Sequence, residues 1–320
     1  MDLSAKIYVA GHKGLVGSAI MRRLAADGYN NIVVRTHAEL DLTNQAEVEK
    51  FFASEKPEFV FVSAAKVGGI HANSTRPAEF IQENLAIQSN VIHESWKNGV
   101  GRLLFLGSSC IYPRESPQPI KEEYLLTGPL EPTNSAYAVA KIAGIEMCWS
   151  YNKQYGTNYL AAMPSNLYGP GDNYDLNNSH VLPALIRKVH EAKARGDKKM
   201  TAWGTGKPLR EFSYNDDVAD ALVFLMNLPK EGFSSVAGSK TSPPLINIGS
   251  GIDKTIKELL ETVIDVLDYN GTVEWDSGKP DGMYRKLLDS AKIRALGWSA
   301  KTPLREGIKK AYQDFLLKSA

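Results

Sequence analysis

Short apolar runs alternate with longer helical stretches through the first half of the chain, and a glycine-rich turn follows the first run directly. The runs are KIYVA (6–10), NIVVR (31–35), EFVFVSAA (58–65), RLLFLGSS (102–109) and NYLAAMPSN (158–166). The stretches between them predict helices from about 15, over 44–54, within 77–98 and over 135–155. Strands alternating with helices pair in parallel through crossovers, so five in succession predict an α/β fold, a doubly wound parallel sheet with its ligand at the carboxyl ends of the strands. Beyond NLYGPGDN the rhythm loosens into Gly, Pro and Asn clusters around 168–179 and 227–244, which marks a second, smaller α/β domain. The expected division is 1–168, with returning segments near 212–227 and 244–250, against 169–320 for most of the remainder.

Composition narrows the function classes. Thirty-seven Lys and Arg against 36 Asp and Glu leave +1, so no whole-molecule field draws nucleic acid or an anionic membrane. Hydrophobic residues at 43% and charged residues at 23% suit a globular chain, and no apolar run approaches the roughly 18 residues of a spanning helix. MDLSAKIYVAG carries neither a basic leader nor a cleavage pattern, and two cysteines, Cys110 and Cys148, suit a reducing compartment, so a cytoplasmic chain without disulfides is expected. Six scattered histidines, with no HExxH and no CxxC, give no reason to expect a metal site.

Gly11, Gly14 and Gly17 in GHKGLVG lie between the first strand and its helix, where glycine lets the backbone turn tightly and approach a pyrophosphate at the helix N-terminus. At the end of the second strand, where a carboxylate commonly meets the ribose hydroxyls of NAD, the chain has Arg35, Thr36 and His37, with Lys13 in the glycine loop. These residues suit a 2′-phosphate, so NADP(H) is the expected cofactor.

Tyr137 and Lys141 are one helical turn apart on one face, the spacing at which an ammonium can stabilise a phenolate. Their helix follows the fourth strand, which ends in Ser108 and Ser109, so Ser108, Tyr137 and Lys141 are placed to converge on one carbonyl oxygen. The same helix, AYAVAKIAGIEMCW (136–149), is apolar nearly all round, so its second face is covered by either the second domain or another subunit, and the favoured expectation is a homodimer through the helices near 84–98 and 136–155.

GHKGLVG, SAAKVGG, the Ser108 strand end, Tyr137-xxx-Lys141 and NLYGP together resemble the extended short-chain dehydrogenase/reductase superfamily, which implies a Rossmann-like first domain. SAAKVGGIHAN, LLFLGSSCIYP, LEPTNSAYAVAKIAG, MPSNLYGPGDN, NSHVLPALIRK and KPDGMYRKLLD narrow the resemblance to its bifunctional epimerase/reductases of GDP-4-keto-6-deoxy sugars, over about residues 6–315. The Cys directly after the Ser pair is specific to that branch. The resemblance implies that Cys110 is the base at carbons 3 and 5 and His180 the acid on the opposite face. It implies further cofactor contacts from Leu15, Val16, Asp41, Leu42, Ala64, Ala65, Lys66, Leu106, Gly107, Ser108, Ser109, Lys141, Pro164, Asn166, Leu167 and His180. For the GDP-sugar substrate it points to Lys188, Trp203, Arg210 and Asp281. Without it, Lys188 reads equally as a solvated charge and Trp203 as a core aromatic. Where many members carry Arg, this chain has Lys13, His37 and Lys188, which lack the bidentate fork for phosphate. The competing expectations are a reductase of a related 4-keto nucleotide sugar, such as a GDP-heptose, and a catalytically silent dinucleotide sensor. The sensor has no use for the Ser108, Tyr137 and Lys141 set.

Overall fold

In the computed structural model, which describes residues 1–176, 178–279 and 281–319, the first half is built from β1 (Ile7–Ala10), α1 (Leu15–Ala26), β2 (Ile32–Val33), α2 (Gln45–Glu55) and β3 (Phe59–Val62). It continues through α3 (Ile70–Thr75), α4 (Pro77–Lys97), β4 (Arg102–Leu106), α5 (Ser135–Tyr155) and β5 (Tyr159–Pro164). The second half contains β6 (Asn166–Tyr168), α6 (Val181–Arg195), β7 (Lys199–Trp203), β8 (Leu209–Tyr214), α7 (Asn215–Asn227) and α8 (Lys230–Val236). It closes with β9 (Leu245–Ile248), β10 (Asp253–Thr255), α9 (Ile256–Leu267), β11 (Thr272–Asp276), β12 (Arg285–Lys286), α10 (Ala291–Ala295) and α11 (Leu304–Ser319).

Six parallel strands make the main sheet in the order β2-β1-β3-β4-β5-β9. Its strands are buried on both faces, as near-continuous apolar runs require. Alternate side chains feed two cores. Ile7, Val9, Phe61 and Leu104 pack under α1 and α7 through Ile20, Val218 and Leu222, while Tyr8, Val60, Val62 and Phe105 pack under α2, α4 and α5 through Phe52, Ile92 and Ile145. The sixth strand, β9, returns from beyond residue 227.

The strands end earlier than the apolar runs. Ser63, Ala64 and Ala65 leave the sheet after β3, and β4 stops at Leu106 before a 3-10 turn over Ser109–Ile111. NYLAAMPSN divides at Ser165 into β5 and β6, and β6 pairs with β8 instead of continuing the large sheet. These departures all occur at the carboxyl edge, where the backbone turns from core packing to the cleft.

A third core joins α6, α9 and α11 through Ile186, Leu259, Leu260, Val263 and Ile308. Around it lie β8 with β6, β10 and β12, and the parallel pair β7 and β11. Among the described residues no helix is long and apolar enough to cross a membrane.

Candidate active site

The chain turns from β1 into α1 on Gly11, whose φ of +83° suits glycine, and a Cβ there would stand 2.7 Å from the Ala64 amide nitrogen. A Cβ on Gly17 would collide with the Gly11 carbonyl. Gly14 precedes α1 as an exposed N-cap, and α1 has neither a side-chain cap nor an acid in its first turn. The helix thus leaves its first amides open beside Leu15 and Val16, a cradle that fits a pyrophosphate. By contrast, Asn44 caps α2 and a Thr255–Glu258 box caps α9.

Arg35, Thr36 and His37 share the next edge, near exposed Lys13. Arg35 lies 5.5 Å over the Phe51 ring and donates to the Val34 carbonyl at 2.7 Å and to Glu55 at 2.6 Å, so part of its fork is occupied. The Thr36 amide and hydroxyl donate to Glu39 at 2.7 and 2.8 Å. His37 is exposed, 3.8 Å from Asp41, and the Leu42 carbonyl accepts from Asn90 at 2.9 Å. In the loop holding Ala64 and Ala65, the Lys66 backbone is fixed both ways by the Asn84 amide at 3.0 Å, while its ammonium turns to Glu79 and Glu83 at 2.8 and 2.6 Å. Pro164 ends β5, and Asn166, beside Leu167 on β6, donates to the Glu211 carbonyl at 2.8 Å.

The chemistry-bearing wall begins where Leu106 and Gly107 end β4. Ser108 adopts an extended backbone and its hydroxyl accepts from the Cys110 amide at 3.4 Å, which turns buried Ser109 and Cys110 back toward the pocket. Lys141, buried on α5, donates to the Leu106 carbonyl at 2.8 Å and sits 5.7 Å over the Tyr137 ring. Desolvation pushes Lys141 down to about 8, against the attraction of Cys110. Burial raises Tyr137 above an ordinary phenol, with Cys110 adding to the rise, while the Lys141 ammonium over its ring also holds the Leu106 carbonyl. Burial raises the Cys110 thiol too, opposed first by Lys286, then by Ser108 and Lys141.

His180 is the N-cap of α6 and is exposed. Its pKa is lowered by desolvation and then by Lys286. Across the second half, Lys188 lies 4.2 Å over the Trp203 ring, and Trp203 is 60% exposed, so it is not a core aromatic. Half-buried Arg210 donates to the Leu209 carbonyl at 2.8 Å and, among the described residues, makes no ion pair. Asp281 accepts from the amide and hydroxyl of Thr205, both at 2.7 Å, which pins the loop after β7.

Three residues of the wall escaped the sequence reading: Glu131, Met283 and Lys286 line one pocket with Ser109 and Cys110. Lys286 lies in KPDGMYRKLLD, but a two-residue strand has no periodicity to show which way it points.

The glycine cradle, the Ser108, Tyr137 and Lys141 set at a strand end and the small second sheet define a dinucleotide-dependent enzyme of sugar nucleotides. Residues 7–249 match the NAD dependent epimerase/dehydratase family, and the chain belongs to it. GDP-L-fucose synthase 1 of Arabidopsis thaliana is 56% identical over 315 residues, covering 98% of this chain and 94% of that protein. GDP-L-fucose synthase of Escherichia coli K12 is 50% identical over 313 residues, covering 97% and 96%. The crystal structure of a GDP-D-glycero-L-gluco-heptose synthase from Campylobacter jejuni, in the presence of NADPH, superposes with a TM-score of 0.91 at 41% identity, covering 99% of each chain.

Proposed function

We infer that this chain is a bifunctional NADPH-dependent epimerase/reductase that converts GDP-4-keto-6-deoxy-D-mannose to GDP-L-fucose. The observation that carries it is the turn that brings Cys110 to the strand end shared with Ser108, beside Tyr137 and Lys141. A simple reductase needs only the last three. The relatives named as GDP-L-fucose synthases support the same substrate over the whole chain.

A ketone at carbon 4 acidifies the C–H bonds at carbons 3 and 5 through one enolate, so a single oxyanion site serves both inversions and the reduction. Ser108 and Tyr137 hold that oxygen. At each carbon Cys110, as thiolate, takes the proton and His180 gives one from the opposite face; between the two inversions the thiol passes its proton to solvent and the imidazole takes one up. Tyr137 then gives its proton to the carbon 4 oxygen. Lys141 would hold the nicotinamide ribose, the amides around Gly14 the pyrophosphate, and Lys13, Arg35 and Thr36 the 2′-phosphate. When bound, NADPH supplies the hydride for carbon 4. Arg210 and Lys188 suit the substrate diphosphate, with Trp203 and Asp281 around its nucleoside and sugar.

The same reading divides the chain at 168, with 212–227 and 244–250 returning to the cofactor domain, and places it in the cytoplasm as a homodimer. α4 and α5 would form the dimer contact, since α5 presents Val139, 44% exposed, and farther along the two helices lies a ring cluster of His93, Trp96, Tyr151 and Tyr155. Sedimentation of a surface-charge variant, Val139→Glu, checks this: a monomer is expected, and an unchanged dimer places the contact elsewhere.

The fold likeness to a GDP-heptose synthase gives a second reading, reduction of a GDP-4-keto-heptose. One incubation separates the two. With GDP-4-keto-6-deoxymannose and NADPH in heavy water, GDP-L-fucose carrying deuterium at carbons 3 and 5 is expected; NADPH loss without deuterium at either carbon overturns the bifunctional reading.

A further inference from the structure

Lys286 is on the second residue of β12, paired in parallel with Arg210 on β8. Its neighbour Arg285 turns to the opposite side and pairs with Asp253 at 2.5 Å. That alternation leaves Lys286 facing the pocket that Cys110 lines.

The strand is clamped on both flanks. Toward the segment after Cys110, the Leu287 amide donates to Gln118 at 2.9 Å and the Leu287 carbonyl accepts from the Ile120 amide at 2.7 Å. On the other side, the Leu288 amide donates to buried Glu211 at 3.0 Å. The Lys286 backbone is therefore held between the segment around 118–120 and β8.

Among the described residues Lys286 has no ion pair and no hydrogen bond to an acid. The pocket's one carboxylate, Glu131, lies within 3.5 Å of Arg114 and accepts from Thr133, so its charge is shared. The charged and titratable groups around the thiol are Lys141 and Tyr137 from α5, Glu131 from the segment before α5, and Lys286 from β12 with Arg210 behind it. Lys141 already donates to Leu106. Lys141 also acts on the thiol, but less than Lys286, which has no ion pair of its own among the described residues.

We propose that Lys286 is the counter-cation of the Cys110 thiolate, and so a positioning residue for proton abstraction at carbons 3 and 5. The proposal rests on the reading of Cys110 as the base. The direction of each neighbouring effect agrees with it: Lys286 opposes the burial of the thiol more than any other group does, and the same charge disfavours the His180 imidazolium. One ammonium thereby makes the base easier to ionise and the acid readier to release its proton, the two changes that a base and acid on opposite faces of one sugar require.

The test is the pH profile of iodoacetamide alkylation at Cys110, read on its own peptide by mass spectrometry, in the parent chain, Lys286→Met and Lys286→Arg. A midpoint reports ionisation and is independent of how easily the reagent enters. Lys286→Met should raise the midpoint by about one pH unit, slowing alkylation at neutral pH about 10-fold. Lys286→Arg should hold the parental midpoint, and the pH profile of deuterium entry at carbons 3 and 5 should shift with the thiol in both variants. An unmoved midpoint in Lys286→Met overturns the proposal, as does a rise in substrate KM with kcat and midpoint unchanged, which would make Lys286 a substrate ligand only. A midpoint in Lys286→Arg displaced as far as in Lys286→Met overturns it too. Failure of the underlying reading looks different: Cys110→Ser would then exchange deuterium at the parental rate while the alkylation midpoints still depended on Lys286.

Discussion

The two halves of this molecule solve packing differently. The six-stranded sheet buries its strands without a single charged side chain in β1, β3 or β5, and its functional groups are confined to the strand ends. The second half, divided among sheets of two to four strands, is tied together by carboxylates inside the protein. Glu211 is fully buried and accepts from the Leu288 and Gly251 amides at 3.0 and 2.7 Å, joining β8 to two loops, and desolvation pushes it up to about 7. A large parallel sheet can afford a rigid rim for chemistry; a small composite domain depends on polar latches and yields a softer surface suited to recognition.

If that contrast is right, the greatest loss should come from the rim of the first half, with little change in binding. Tyr137→Phe should lower reduction about 100- to 10,000-fold, since it removes the proton donor and one oxyanion contact. NADPH binding, followed by fluorescence, should be close to parental. Weak cofactor binding in a folded Tyr137→Phe protein would break the separation between chemistry and grip.

The second half should show the reverse split. Arg210→Ala removes a desolvated guanidinium that makes no ion pair among the described residues, although Asp281 acts on it from farther off, so part of its fork is available to an anion. Substrate KM should rise about 10- to 100-fold, the worth of one charge-assisted contact, with a smaller change in kcat. Steady-state kinetics that put the loss in kcat alone would move Arg210 to the reacting end.

Legibility in the sequence follows the same division. Regular crossovers made β1 to β5 readable, and Gly11, Gly14, Gly17, Tyr137 and Lys141 stood out because fixed backbone turns and one helical turn impose fixed spacings. Glu211 is on the six-residue β8, where its role as a latch depends on loops distant in sequence, while β6, β10 and β12 have two or three residues each, too few for any period, so Lys286 carried no local signal. Their positions depend on pairing with β8 across tens of residues. Without the resemblance Trp203 read equally as a core aromatic or a ligand contact, because a single aromatic in a strand does not say which face is wet.

Asp172 sharpens the contrast through pH. Its carboxyl is pushed up to about 7 by desolvation, with Asp314 adding repulsion and the Asn173 amide and Lys318 opposing. A carboxyl with a raised folded pKa holds a proton that the unfolded chain has already released. Its stabilisation is therefore present below the unfolded value of 3.8 and is lost as pH rises to about 7. Asp172→Asn should gain on the parent across that window, with the Tm difference widening by about 2 to 4 °C between pH 5 and pH 8. Parallel Tm curves for the two proteins would show that Asp172 is no pH-sensitive latch.

The smallest effect belongs to the outer edge of the first half, where charges are half-solvated and should matter little. Arg35 gives one N–H to Glu55 at 2.6 Å and another to the Val34 carbonyl at 2.7 Å, while its plane rests over Phe51. The ring and the carbonyl fix its position, whereas Glu55 competes with any phosphate for its charge. An exposed pair of this kind contributes about 0.2 to 1 kcal/mol, so removing the competitor should release no more than that to the ligand. Glu55→Gln should therefore bind NADPH about 2- to 5-fold more tightly, by the same energy, and leave NADH unchanged, because only the former carries the 2′-phosphate. Fluorescence titration with both nucleotides at low salt reads the difference, and added salt should erase it. Equal tightening for NADH would mean that Glu55 acts through the fold of β2 and α2, and Arg35 would then be a structural anchor of that edge with no part in telling the two cofactors apart.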